Sequence, residues 1–331
     1  MSENRERVIE ALLTRAGWPG AERRPLAGDA SFRRYDRVHK DGRTAVLMDA
    51  PPPKEDVRPF VRLAMHLGRM GYSAPALLGV DLEEGLLLLE DLGDGTYTKL
   101  LADGADEEAL YALAVDFLAD LHGRTDAIPL GIGGYDEGRL LTEARLLTDW
   151  YMPAVLGRDT DAADRAAFDH QWRKVIATAQ AVPETLVLRD FHVDNLLLLP
   201  RGGVAACGLL DFQDAVAGPV TYDLMSLLED ARRDIDPGLI GRMKDRYLAH
   251  FPHLNHEAFA ASWAVLAAQR HAKVIGIFTR LAKRDGKPGY LVHIPRVWRL
   301  LENALAHPAL AGVKDWLDHH IPAHHRIPPA S

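Results

Sequence analysis

Three oxygen-bearing side chains stand close together in residues 186–214, LVLRDFHVDNLLLLPRGGVAACGLLDFQD: Asp190, Asn195 five positions on, and Asp211. Each sits at the edge of an apolar run. Residues 186–188 deliver Arg189 and Asp190, residues 196–199 follow Asn195, and Leu209 and Leu210 precede Asp211. A turn at Pro200-Arg201-Gly202-Gly203 separates the second run from the third, so two short strands form a hairpin with acids at its mouth. A carboxylate placed there can orient a hydroxyl for attack on a phosphoryl group. The Asn195 amide and the Asp211 carboxylate are hard oxygen ligands of the kind Mg²⁺ takes when it neutralises phosphates. Acids also flank the strands of ordinary buried hairpins, but the order, spacing and apolar setting together favour phosphoryl transfer.

Composition sets the bounds. With 331 residues the chain can build two lobes and a sizeable core. Apolar residues make up 47% and charged residues 26%, as in ordinary globular enzymes. A formal net charge of -8 argues against a general nucleic-acid surface. The single cysteine, Cys207, leaves no intramolecular disulfide framework and reads as a small core residue. The charged start MSENRERVIE is not a secretory signal, and no apolar run approaches the ~20 residues of a membrane span. These features predict a cytoplasmic protein, where ATP is available.

The elements that must position the three side chains follow from periodicity. Residues 2–16 read as an amphipathic helix with Val8, Ile9, Leu12 and Leu13 on one face. A turn at Gly28 and a strand over 32–38 follow, then a strand over 44–49. The arrangement suits a hairpin that covers phosphates with backbone N–H groups. Residues 55–70 read as a helix, and 76–89 as two strands about Glu83-Glu84-Gly85. From Tyr97 the pattern turns helical, with helices over 107–124, 140–151 and 165–182. His122 reads as a packed or capping residue. Asp223 is placed as the N-cap of an apolar helix, and Gln269, Arg270 and Lys273 lie on a helix over 261–283. The tail DHHIPAHHRIPPAS is expected to fray rather than hold a metal through its histidines.

With these residues laid out, the order of Asp190, Asn195 and Asp211 resembles the H-R-D-x-x-x-x-N and D-F-G pair of protein kinases. Leu188 takes the His position and Gln213 the Gly position. The motifs GDASFRRY, LLLLEDLGD, LADLHG, LRDFHVDNLL, LLDFQDA and GPVTYDLMSLL, between residues 26 and 230, resemble those of the aminoglycoside phosphotransferase-like family, kinases of small hydroxyl substrates. The resemblance implies an α+β, protein-kinase-like two-lobed fold, with a small N-terminal antiparallel sheet lobe over 1–92 and a larger, mainly helical C-terminal lobe over 93–331. It implies ATP and Mg²⁺ as cofactors, Asp190 as catalytic base, Asn195 and Asp211 as metal ligands, and Asp223 as a brace of the catalytic loop.

Nucleotide contacts are expected from Gly28, Ser31, Phe32, Arg33 and Arg34, and from Glu90 and Leu92 at the hinge. Where protein kinases carry a phosphate-binding lysine, this chain has Met48, and Lys54 lies beyond the Pro51–Pro53 run. Arg33, Arg34 or Arg43 could supply the missing cation. GDASFRRY, VLMDAPPP and AAQRHAKVIGIFTRL further resemble the branch of the family that phosphorylates the anomeric hydroxyl of N-acetylated amino sugars in cell-wall recycling. Glu143, Arg145, Trp150, Gln213, Arg270 and Lys273 are the expected sugar contacts. The expected partners are a sugar and a nucleotide, with no nucleic acid and no membrane, acting on a monomer. Rival readings are a kinase of an aminoglycoside, choline or a homoserine-like alcohol, and a non-catalytic pseudokinase, the last suggested by Met48.

Overall fold

The computed structural model describes residues 3–26 and 33–330. By packing, the chain forms two compact units, residues 1–117 with 193–215, and residues 118–192 with 216–331.

In the first unit, helix α1 (Glu3–Arg15) precedes strands β1 (Glu22–Pro25), β2 (Arg34–Lys40) and β3 (Arg43–Asp49). Helix α2 (Arg58–Arg69) leads to β4 (Leu77–Asp81) and β5 (Leu86–Glu90). The five strands form one antiparallel sheet in the order β1-β2-β3-β5-β4. Period-two alternation decides which residues meet what. Val38, Ala45, Leu47, Leu86 and Leu88 pack on one face against Ile9, Leu12 and Leu13 of α1. The register pairs Tyr35 with Met48 and Arg37 with Val46, which puts these four on the opposite face. Helices α3 (Tyr97–Ala102) and α4 (Glu107–His122) follow. α2 starts at Arg58 rather than Glu55, because Pro59 suits a first turn and Pro51, Pro52 and Pro53 cannot continue a helix backwards.

The second unit continues with α5 (Glu137–Ala144), α6 (Met152–Leu156), α7 (Ala162–Ala179) and strand β6 (Glu184–Val187). Returning to the first unit, the chain forms the hairpin β7 (Leu196–Leu198) and β8 (Cys207–Leu209). In the second unit again come β9 (Val216–Pro219), α8 (Thr221–Leu228), α9 (Pro237–Ala249), α10 (His256–Asp285), α11 (Ile294–Ala304) and α12 (Ala311–His320). The apolar run before Asp190 pairs with β9, not with the hairpin. β8 is short because Gly203–Ala206 coils into a 3₁₀ turn.

α10 is the axis of the second unit. Asn255 caps its start by accepting the Ala258 N–H at 3.0 Å, and Gly286 ends it in the left-handed conformation at φ 64°. Almost every residue from Phe259 to Leu281 is buried, including Gln269, Arg270, His271 and Lys273. A helix enclosed on all sides carries polar groups only where partners or ligands meet them.

Three expectations are corrected. The helix expected over 140–151 ends at Ala144, and Leu147–Tyr151 forms a π turn, closed by the Met152 N–H on the Leu147 carbonyl. Pro153 follows with no N–H to continue the ladder, so the chain widens by one residue before α6. Asp223 is not an N-cap. It lies inside α8, whose cap position is Val220. The tail does not fray: Ile321 is buried, and the Tyr151 hydroxyl reaches the carbonyls of His325 (2.7 Å) and Ile327 (2.9 Å). Among the described residues no His, Cys, Asp and Glu group of three or more could hold a metal, and no helix is long and apolar enough to cross a membrane. His122 is packed, its Nδ1 2.7 Å from the Tyr247 hydroxyl, and burial pushes its imidazole down to about 3. Cys207 is a buried core residue, as expected.

Candidate active site

In the first unit a cavity of about 270 Å³ opens on the free face of the sheet. Val46, Met48 and Leu89 form one wall, and Leu197 and Leu210 of the hairpin contribute another. A slot with apolar walls suits a flat heterocycle. Residues 90–94 run along its edge, and Glu90 and Leu92 both line it. Glu90 is held by Arg201, whose guanidinium also reaches Ser73 Oγ at 2.7 Å, tying the hairpin loop to the end of β5.

Met48 faces this cavity from the position of the missing lysine. The three arginines suggested as substitutes do not line it. Arg33 pairs with Glu55 at 3.1 Å, Arg34 with Asp49 at 2.6 Å, and Arg43 stacks over Trp18 at 4.6 Å. Arg37 lines it instead, held by Asp91 at 2.9 Å and Asp94 at 2.7 Å. Sequence reasoning missed Arg37. The available signal was its two-residue step from Tyr35, but only the β2–β3 register aligns that step with Met48. Gly28, Ser31 and Phe32 lie outside the described residues.

Asn195 and Asp211 both line the same cavity. Asn195 ends a 3₁₀ turn, Val193–Asn195, and its carbonyl accepts the Leu210 N–H at 2.9 Å, which fixes the base of the hairpin. Asp211 has φ 56°, a left-handed conformation costly for most residues but tolerated by Asp. The turn sends Phe212 inward, where it stacks on Phe60 with centroids 4.9 Å apart. Gln213 donates Nε2–H to Asp211 Oδ1 at 2.7 Å. It thus lines the cavity of the metal-type ligands, whereas a sugar contact was expected of it. An amide oxygen and a carboxylate on one cavity fit Mg²⁺, which is bound through one or two carboxylates with phosphates and water completing its shell.

In the second unit Asp190 lines a separate cavity of about 130 Å³, with His192, Tyr222, Arg270, Lys273 and Phe278 among its walls. The loop bearing Asp190 is held twice. Asp223 accepts the backbone N–H groups of Leu188 and Arg189. The Arg189 side chain, on a residue with φ 71°, pairs with buried Glu143. Glu143 also receives the Tyr135 hydroxyl, Lys273 Nζ at 3.2 Å and Gln269 Nε2 at 3.3 Å. Burial opposes its charge, yet Lys273, Arg189 and Tyr135 together hold its carboxyl below the usual range. Burial likewise works against the Arg189 charge, but Glu143 and its neighbours raise the guanidinium further.

Of the expected sugar contacts, Arg270 and Lys273 line the Asp190 cavity, and Glu143 anchors Lys273 behind it. Arg145 does not line it. Its fork is taken by Asp169, with Nε–Oδ1 at 2.8 Å. Trp150, half-buried on the π turn, is likewise absent from its walls. Arg145 closes α5 as its C-cap, while Trp150 stands within the π turn that follows, so the two are not on the one continuous helix expected over 140–151.

A five-stranded antiparallel sheet in the first unit and a mainly helical second unit are the layout of a kinase-like phosphotransferase. Residues 22–261 match the model of the phosphotransferase enzyme family known as APH, and the chain belongs to that family. It is 37% identical to the N-acetylmuramate/N-acetylglucosamine kinase of Caulobacter vibrioides, over 98% of this chain and 99% of the relative. It is 40% identical to the enzyme of the same name from Pseudomonas aeruginosa, over 93% and 92%. Its fold matches a choline/ethanolamine kinase family protein from Mesorhizobium loti with a TM-score of 0.63, covering 95% of this chain and 99% of that one at 14% identity. The α+β, kinase-like architecture with its five-stranded N-terminal sheet is thereby established.

Proposed function

We propose that this protein is an ATP-dependent kinase that phosphorylates the C1 hydroxyl of N-acetylmuramate and N-acetylglucosamine, acting in the cytoplasm in peptidoglycan recycling. The observation that carries the reading is the Asp190 loop: a carboxylate on a cavity wall, its backbone held by Asp223 and its neighbour Arg189 by Glu143. Similarity to kinases of that name over nearly their whole length supports the choice of acceptor.

In this reading Asp190 accepts a hydrogen bond from the C1 hydroxyl, orients it and takes its proton as the bond to phosphorus forms. An anomeric hydroxyl is more acidic than an ordinary alcohol, so a carboxylate base suffices. Asn195 and Asp211 are the ligands we assign to Mg²⁺, which would screen phosphate charge in a loose transition state. The apolar slot takes the base, with residues 90–92 at its edge. Arg37 closes that edge through Asp91 and Asp94. Functionally we divide the protein into a nucleotide lobe over 1–92 and a sugar lobe over 93–331. By packing, the hairpin over 193–215 goes with the sheet.

A cationic acceptor such as choline is disfavoured, because Arg232, Arg270 and Lys273 all line the Asp190 cavity. The test is a panel of amino sugars, aminoglycosides and amino alcohols with ATP, scored by ADP release and by which carbon is phosphorylated. Turnover confined to C1 of the two N-acetylated sugars is expected. Turnover only of an alcohol such as choline would overturn the assignment.

A further inference from the structure

The Asp190 cavity is unbalanced in charge. Among the described residues on its walls, Asp190 is the carboxylate, against Arg232, Arg270 and Lys273. The three cations are not equivalent. Lys273 is committed to Glu143 at 3.2 Å, and the Arg232 guanidinium lies over the Phe278 ring at 5.8 Å. Arg270 is 5% exposed, and its Nη1 is buried without a hydrogen-bond partner. Asp223, the buried acid whose field reaches Arg270, already accepts two backbone N–H groups. A buried guanidinium N–H with no acceptor is costly, so its retention calls for a group that meets it in use. Val274, Ile277 and Phe278 form an apolar wall beside it. In such surroundings a charge-assisted hydrogen bond is stronger than at the surface.

We propose that Arg270 reads a carboxylate on the acceptor, so that the enzyme favours a sugar bearing an acid substituent over its neutral counterpart. This rests on the sugar-kinase reading above. Of the two sugars proposed, N-acetylmuramate carries a lactyl carboxylate and N-acetylglucosamine does not. Lys273, three residues on and on the same helical face, adds to the positive field while Glu143 fixes its position. The transferring phosphoryl group is the other anion that could meet Arg270, and the experiment separates the two.

Initial rates are measured with N-acetylmuramate, with its carboxamide, and with N-acetylglucosamine, for the wild type, Arg270→Lys and Arg270→Gln. In the wild type kcat/KM is expected to be about 10- to 100-fold higher for the acid than for the carboxamide, from the strength of a charge-assisted bond. The loss should appear mainly in KM. In Arg270→Gln the acid-to-carboxamide ratio should fall to near one, with Arg270→Lys between. This wild-type comparison needs no variant, so a poorly folding substitution does not remove the test. Equal handling of acid and carboxamide by the wild type would overturn the proposal while leaving the sugar-kinase reading in place. So would an Arg270→Gln variant that lost all three acceptors in the same proportion, which would assign Arg270 to the phosphoryl group. Failure of the wild type to phosphorylate any of the three would overturn the sugar reading, and this inference with it.

Discussion

The carboxylate of Asp223 accepts the backbone N–H of Arg189 at 3.0 Å, while its other oxygen takes that of Leu188 at 2.5 Å. Asp223 thus fixes the two peptide groups that precede Asp190. Burial pushes the Asp223 carboxyl up to about 7. The two N–H donors and Arg270 work against that rise, and Asp190 adds to it. In the unfolded chain an aspartate titrates near ~3.9. Between those values the native state holds a proton that the unfolded state has lost. Asp223 therefore favours the fold at the acid end, and that contribution is lost as pH rises towards 7. Asp223→Asn, which cannot titrate, should flatten the dependence. Urea unfolding of the second unit at pH 5 and pH 8 should differ less in Asp223→Asn than in the wild type, by on the order of 1–3 kcal/mol. Identical pH slopes would mean that Asp223 is ionised throughout.

Asp190→Asn keeps the shape of the side chain and removes its ability to take a proton. Turnover should fall by roughly 10²- to 10⁴-fold, with nucleotide affinity held within about threefold. Steady-state rates paired with nucleotide titration check this. Near-wild-type turnover in a folded variant would remove Asp190 from the role of base.

Asp211→Asn should uncouple the nucleotide from the metal. Asn tolerates the left-handed backbone at φ 56°, so the turn and the Phe212–Phe60 stack survive. The charged ligand does not survive. Nucleotide affinity in the wild type should rise with added Mg²⁺ and in the variant should respond far less, with turnover lower by about 100-fold or more. A variant with unchanged Mg²⁺ dependence would make Asp211 a turn residue only.

Gly276→Ala tests the seat of α10. A Cβ at Gly276 would lie 2.2 Å from the Leu146 carbonyl carbon, so the backbone just before the π turn must move. Backbone cannot swing aside as a side-chain tip can. The melting temperature should drop by roughly 5 °C or more. The control is Gly241→Ala in α9, where a Cβ meets nothing within 4 Å and no drop is expected.

Much of the candidate site was legible in the chain because it depends on local spacing. Asn195 and Asp211 flank the two strands of one hairpin and line one cavity, a placement that turn chemistry and strand periodicity are enough to predict. Legibility stopped where a side chain takes its partner from far along the sequence. Asp223 lies 34 positions from Arg189; periodicity placed it as an N-cap, and only the family resemblance implied that it braces the catalytic loop. Arg37 finds Asp91 54 positions away, which moved the cavity's cation off Arg33, Arg34 and Arg43. Arg145 was drawn off by Asp169, 24 positions on, so that of the cations expected at the sugar only Arg270 and Lys273 reached the cavity. The physical difference is one of range. Periodicity and turn residues act over a few peptide units, whereas a charged group's role is set by which opposite charge the packed chain brings within hydrogen-bonding distance.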